Sequence, residues 1–168
     1  KANDGTVDSN TSTVTITVTA VNDLPTTADA ASSTNEDTAK AITLSATDVE
    51  GSSLTYSIVS DVSNGSTSLS GSTVTYTPTA NYNGTDTFTY KANDGTGDSN
   101  TSTITITVVA VNDLPTTSDV SSSTNEDTAK AITLTGADDV EGSSLTYSIV
   151  STNNGSVSVS GSTATYTP

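Results

Sequence analysis

Several residue types that carry chemistry are absent or scarce in this chain. It has no cysteine, histidine, methionine or tryptophan, and 4 basic residues against 19 acidic ones give 168 residues a formal net charge of −15. Without cysteine or histidine there is no thiol nucleophile, no imidazole base and no soft-metal site. The scarcity of cations argues against a phosphate-rich partner, so we expect no binding to nucleic acid.

Long apolar runs and aromatic residues are scarce as well. No stretch approaches the roughly 20 apolar residues of a membrane span, and no signal peptide is recognisable, so we expect no membrane insertion in this segment. Hydrophobic residues make up 31% and aromatic residues 4% of the chain, a composition close to that of disordered chains. The apolar residues alternate with Thr and Ser in short runs, however, which is the pattern of half-buried β-strands. We therefore expect an all-β fold with a thin core.

The sequence repeats with a period of about 90 residues. "KANDGT" stands at Lys1 and Lys91, "AVNDLPTT" at Ala20 and Ala110, and "STNEDTAKAITL" begins again at residue 123. A period of this length indicates a tandem array of domains. The chain is expected to be a window from a longer protein. It would contain the C-terminal strands of one repeat (residues 1–23), a complete repeat (24–113) and the N-terminal strands of a third (114–168).

Alternation and turn residues divide the complete repeat into seven short strands, A to G. They are predicted around residues 27–33, 39–47, 53–59, 66–70, 73–77, 86–92 and 102–111. This pattern predicts a seven-stranded β-sandwich of the immunoglobulin (Ig) type without a disulfide. If each strand reverses the one before, an odd number makes the chain enter at one end and leave at the other. Successive repeats are therefore expected to form a rod.

The same alternation of direction gathers acidic loops at the two ends of the repeat. The upper end would collect Asp48, Glu50, Asp94 and Asp98 beside Asn22 and Asp23. The lower end would collect Glu36, Asp37, Asp61 and Asp86 beside Asn112 and Asp113, with Asp138, Asp139 and Glu141 from the following repeat. Carboxylates about 5 Å apart repel by roughly 1–3 kcal/mol, and a hard cation such as Ca²⁺ would relieve this repulsion. The alternative is that these residues only form turns and keep the protein soluble.

Three segments resemble the cadherin repeat. "KANDGTGDSNTSTITITVVAVNDLP" is similar to its last strands and linker, "NEDT" at Asn35 falls where cadherins carry a Glu, and "ATDVEGSSLTYSIV" resembles their acid-x-acid segment. The closest resemblance is to bacterial cadherin-like tandem repeats of long surface adhesins, and it implies a β-sandwich with calcium at the domain boundaries. The implied ligands are Asn22, Asp23, Asp48, Glu50 and Asp94 above, and Glu36, Asn112, Asp113, Asp138 or Asp139, and Glu141 below.

The chain also departs from the cadherin pattern. The linker "VNDLP" lacks the preceding acid and the second Asn. The acidic E–F motif is replaced by "TANYNGTD", in which Asp86 and Asn81 are only loose substitutes. A full set of three ions per joint is therefore not expected.

These observations predict a structural module rather than an enzyme. The chain would extend a long adhesin or filament at the cell surface or outside the cell, with calcium-stiffened joints, and would contact neighbouring repeats and other copies in a filament. Asp48 and Glu50 could form a glycosidase-like carboxylate pair. A shallow cluster of loops that recurs in every repeat is, however, poorly suited to be an active site. The alternative function is carbohydrate or surface binding through Thr-rich strands, although alternating Thr is also what solvent-facing strands prefer.

Overall fold

The computed structural model describes residues 1–137 and 142–168 and contains no helix in these ranges. The complete repeat contains nine strands, β1 to β9, and five more follow in the third repeat. In chain order the strands of the complete repeat are Thr26–Thr27, Ala30–Asn35, Lys40–Thr43, Ala46–Thr47, Thr55–Ser60, Gly65–Ser70, Thr73–Pro78, Gly84–Asn93 and Ser102–Val109. The later strands, β10 to β14, are Thr116–Thr117, Lys130–Thr133, Gly136–Ala137, Ser156–Ser160 and Thr163–Thr167.

Two sheets enclose the core of the complete repeat. One has the strand order β2-β9-β8-β5 and the other β3-β7-β6. Side chains alternate between core and solvent along each strand, and in β9 every second residue from Ser102 to Val108 is buried. The core consists of Ile42, Leu44, Val74, Tyr76, Phe88, Tyr90, Ile104, Ile106 and Val108. The predicted all-β architecture with a thin core is confirmed.

The structure has nine strands where the sequence predicts seven, because strands A and B are each interrupted. Strand β1 pairs with β4 in a separate two-stranded sheet, whereas β2 pairs with β9, so the predicted strand A is divided between two sheets. The Tyr90 hydroxyl lies at the break, 3.0 Å from the carbonyl oxygens of both Ala28 and Ser45. These two carbonyls belong to the residues between β1 and β2 and between β3 and β4. A hydroxyl has one proton, so the two acceptors share it.

The first and last long strands of the complete repeat run parallel. Ala30 pairs with Ile104 and Asn35 with Val109, so β2 and β9 point in the same direction side by side. The chain therefore enters the repeat at one end and leaves it at the other, as the sequence predicts. The arrangement of successive repeats as a rod remains a prediction.

The third repeat has the same strand pairing as the complete repeat where both are described. Strand β10 pairs with β12, and β14 lies between β11 and β13, as their counterparts do in the complete repeat.

Candidate cation sites at the two ends of the repeat

The upper end of the complete repeat holds the segment through which the chain enters it. We call residues 22–25 the entry segment. The Asn22 side-chain amide donates to Asp94 Oδ2 at 2.8 Å, and the Asp23 backbone N–H donates to Glu50 Oε2 at 3.3 Å. The structure thus brings together four of the five residues predicted at this joint.

Asp94 serves both the F–G turn and the entry segment. Its Oδ1 accepts hydrogen bonds from the backbone N–H groups of Thr96 and Gly97, each at 2.7 Å, while Oδ2 accepts from Asn22. The hydrogen bond from Asn22, followed by those from Gly97 and Thr96, lowers the pKa of the Asp94 carboxyl. The turn function that the sequence allows for Asp94 is therefore present together with its contact to the linker.

Asp48, the fifth predicted residue, lies in the B–C loop. Its Oδ1 accepts a hydrogen bond from the Ser52 backbone N–H at 2.8 Å. Its Oδ2 is buried and has no hydrogen-bond partner. A carboxylate oxygen that is removed from water without a donor or cation carries a desolvation penalty.

Glu36 occupies the corresponding position at the lower end, just after β2, and is 3% exposed. Its backbone N–H donates to the Val109 carbonyl at 2.9 Å, and its Oε1 accepts a hydrogen bond from the Val111 backbone N–H. Glu36 therefore fixes the chain as it leaves β9, immediately before Asn112 and Asp113. Its second oxygen, Oε2, is buried without a partner.

Asp37 connects the A–B and E–F loops. Its Oδ1 accepts a hydrogen bond from the Asn81 backbone N–H at 3.0 Å, and both residues have left-handed backbones, with φ of 55° and 58°. Asp and Asn adopt this conformation more readily than other non-glycine residues. The contact explains why these two residue types occur at this end without requiring a metal.

Asp86 is placed differently from the prediction. Strand β8 begins two residues earlier than expected, so Asp86 lies within the strand, on the same face as Phe88, and is 4% exposed. Its Oδ1 accepts hydrogen bonds from the backbone N–H groups of Ser63 and Thr87, both at 3.0 Å. Its Oδ2 accepts from the Asn64 N–H at 2.9 Å and the Tyr76 hydroxyl at 3.2 Å.

Both oxygens of Asp86 therefore already have protein partners. Burial alone would raise the pKa of this carboxyl, but the four hydrogen bonds outweigh it and the pKa is lowered. Burial and the neighbouring carboxylate raise the pKa of the Tyr76 hydroxyl to about 12. Asp86 thus organises the C–D loop, a role that sequence reasoning missed. Its spacing of two and four residues from Phe88 and Tyr90 was the available signal, because alternate residues share one face of a strand.

The linker after the complete repeat reproduces one feature of the linker before it. The Asn112 side chain donates to the Asp113 carbonyl at 2.9 Å, as Asn22 does to that of Asp23 at 3.1 Å. The acids predicted from the following repeat, Asp138, Asp139 and Glu141, lie outside the described residues.

The two ends of the repeat provide carboxylate oxygens that lack a partner, but they do not bring three acidic side chains together. Across residues 1–137 and 142–168, no group of three or more Asp, Glu, His or Cys residues is placed to hold a metal ion. In the same ranges, the buried side-chain N and O atoms without a hydrogen-bond partner are Glu36 Oε2 and Asp48 Oδ2. Both belong to predicted calcium ligands, one at each end of the repeat. Asn side chains, backbone carbonyls and water would have to complete either site.

A family model described as "Bacterial Ig domain" matches residues 22–107 and again residues 112–168. The chain belongs to the bacterial Ig domain family. The two matches are adjacent repeats, separated at the linker that carries Asn112. Bacterial Ig domains are typically non-catalytic and commonly occur in extracellular or surface proteins. Within the described ranges, no helix has the length and apolar character needed to traverse a bilayer.

Similarity to individual proteins adds little to this assignment. No curated protein matches the chain. Two solved structures of an endo-fucoidan hydrolase from glycoside hydrolase family 107, one of them a variant, are each 22% identical to this bacterial Ig chain. Each match covers 86% of this chain and 24% of the hydrolase chain, with TM-scores of 0.42 and 0.41. The chain thus spans about a quarter of the length of these hydrolases, and a likeness at this level does not extend their activity to it.

Proposed function

We propose that this bacterial Ig chain is an extension module of a long extracellular adhesin or filament. The parallel pairing of β2 with β9 carries the proposal, because it sends the chain through the repeat from one end to the other. A domain of this topology adds its own length to the protein each time it is repeated. The two adjacent family matches show that it is repeated within this chain.

The same pairing suits a protein that is pulled from its ends. Tension across the repeat acts along β2 and β9, so the residue pairs from Ala30–Ile104 to Asn35–Val109 share the load. A β-hairpin pulled apart at its open end loses its hydrogen bonds one after another instead. The antiparallel pair β6–β7 provides this second geometry within the same repeat.

Pulling the repeat in these two directions tests its load-bearing role. The chain has no cysteine, so pairs introduced at residues 24 and 110, or at 63 and 80, give unique attachment points for single-molecule force spectroscopy. We expect a higher unfolding force between residues 24 and 110, because that direction shears β2 against β9. An equal or lower force along this direction would argue against a module built to carry tension.

One observation favours the alternative, a carbohydrate- or surface-binding role. On the outer face of the β8–β9 pair, Thr85, Thr87 and Thr89 lie opposite Thr107, Thr105 and Thr103 and form a regular array of hydroxyl groups. Cross-strand Thr pairs also stabilise a sheet without any ligand. The array is therefore sufficiently explained by strand pairing, and extension remains the function that the geometry supports best.

We further propose that Ca²⁺ stiffens the joints. Glu36, Asn112 and Asp113, with Asp138, Asp139 and Glu141, would hold it below the repeat, and Asp48, Glu50, Asp94, Asn22 and Asp23 above. The ion would supply positive charge to a chain that has 19 acidic residues and only 4 basic ones. The two buried oxygens without partners, in Glu36 and Asp48, support this proposal.

Calcium is expected to stabilise the full chain against unfolding. The Glu36→Gln variant is expected to lose the part of this stabilisation that comes from the lower site. At 10 to 100 times the dissociation constant, an ion adds about 1.4–2.7 kcal/mol per site. The measurement is thermal or urea unfolding with and without CaCl₂, at an ionic strength matched with NaCl. Without calcium, Glu36→Gln should cost little, because it replaces a buried charged oxygen that has no partner.

Asp61→Asn is the matched control for this calcium experiment. Asp61 is also predicted at the lower end, but its Oδ1 accepts hydrogen bonds from the Val62 N–H in its own loop and from the Thr67 hydroxyl in β6. This variant should retain the full calcium response. A wild-type chain that does not respond to calcium, or an equal response in Glu36→Gln, would refute the calcium proposal and leave the extension role standing.

A further inference from the structure

Residue 97 sits where the entry segment touches the F–G turn. A Cβ atom added to Gly97 would lie 2.4 Å from Cδ2 of Leu24, which is too close for both to stay in place. The backbone of Gly97 is not in the left-handed region, unlike that of Gly95 in the same turn. A larger residue at position 97 would therefore make the Leu24 side chain turn away, while the shape of the turn places no such demand on this position.

The preceding repeat provides an internal comparison. Its F–G turn has Val7 where the complete repeat has Gly97, and the turn is otherwise the same. Asp4 Oδ1 accepts hydrogen bonds from the N–H groups of Thr6 and Val7 at 2.8 and 2.9 Å, as Asp94 does in its own turn. Valine is therefore compatible with the turn itself.

The residues on both sides of Leu24 are held by the complete repeat. Asn22 and Asp23 contact Asp94 and Glu50, and Pro25, directly after Leu24, is fully buried.

We infer that position 97 is a steric selector that determines how a repeat holds its entry segment. Glycine lets the entry leucine pack on the repeat's own F–G turn, which places the neighbouring Asn and Asp against the loop acids. Valine would fill that space and turn the entry leucine away from the F–G turn. Glycine and valine at this one position would thus specify a firmly held and a freer entry segment. This inference depends neither on calcium nor on the extension role.

The test is Gly97→Val in the full chain, read by amide hydrogen exchange. Displacing Leu24 should release the Asp23 N–H from Glu50 and speed its exchange by about fivefold or more, since local opening governs exchange. The Ser99 N–H, which donates to the Ala92 carbonyl at 2.8 Å across the turn, should change less than about twofold. Unchanged exchange at Asp23 would overturn the inference.

Two further variants separate the leucine contact from the turn. In a Leu24→Ala background, Gly97→Val should have no further effect on Asp23, because the group it displaces is gone. Val7→Gly should leave the exchange of the Ser9 N–H unchanged, because the turn forms with either valine or glycine at this position. If Gly97→Val speeds exchange at Ser99 both in the wild-type chain and in the Leu24→Ala chain, the turn itself needs glycine. That result would refute the steric selector.

Discussion

Replacement of Asp86 by asparagine is expected to lower the free energy of unfolding of the complete repeat by about 3 kcal/mol. Four donors converge on this buried carboxylate, three of them backbone N–H groups and the fourth the Tyr76 hydroxyl. Asparagine retains one acceptor oxygen and puts an NH₂ group in place of the other. That NH₂ group would face hydrogen-bond donors, so partly buried donors that now bind the carboxylate would lose their acceptor.

Urea denaturation of the wild-type and Asp86→Asn chains measures this loss. Tyr76→Phe is a control in which a smaller loss is expected. Tyr76→Phe removes one donor and leaves the carboxylate with three, so we expect a cost of about 1 kcal/mol. Because both oxygens of Asp86 have protein partners, the loss should be the same with and without calcium. A loss of less than 1 kcal/mol, or one that appears only with calcium, would contradict the role assigned to Asp86.

Because of the same carboxylate, we expect the free energy of unfolding to depend on pH. Its pKa is lower in the folded chain than the value of about 3.9 expected for an unfolded one. The stabilisation is therefore complete above about pH 4 and is lost as the pH falls through the folded value. The Asp86→Asn chain should lack this part of the acid-induced loss.

Replacement of Phe88 by alanine is expected to cost about 3–5 kcal/mol. Phe88 is completely buried between the two sheets, where it lies with Tyr76, Ile104 and Ile106 in a core of nine side chains. A domain of about 90 residues has a total stability of roughly 5–13 kcal/mol, so this one cavity removes a large share of it. We expect the variant to unfold at a much lower urea concentration.

Thr87→Ala is the control for Phe88→Ala, since Thr87 is the next residue of β8 and faces solvent. Its replacement should change the free energy of unfolding by no more than about 0.5 kcal/mol. Similar losses in the two variants would contradict the assignment of the two faces of β8.

Much of the fold could be predicted from the sequence, because β-strands alternate and repeats align. The alternation in "TITITVV" identifies Ile104, Ile106 and Val108 as core residues, and all three are buried. The odd number of strands predicts the passage of the chain through the repeat, which the parallel pair β2–β9 confirms. The contacts of Asn22 and Asp23 with the upper loops follow from the same count of directions.

The roles of individual polar atoms could not be predicted in this way. Asp86 and Glu36 are both acids near the lower end in the sequence, yet one has four donors and the other keeps a buried oxygen without a partner. That difference depends on which backbone N–H groups the C–D loop and the linker bring within reach. Neither the type nor the spacing of the residues contains this information.

The sequence by itself determined the period, the alternation of each strand and the residue types at the joints. The tertiary structure decided how a predicted strand divides between partners. Residues 26–27 pair with residues 46–47, whereas residues 30–35 pair with residues 104–109, so the single predicted strand A becomes two. A β-strand completes its hydrogen bonds with another segment of chain, so its own residues specify its faces and the packing of the whole repeat determines its partner.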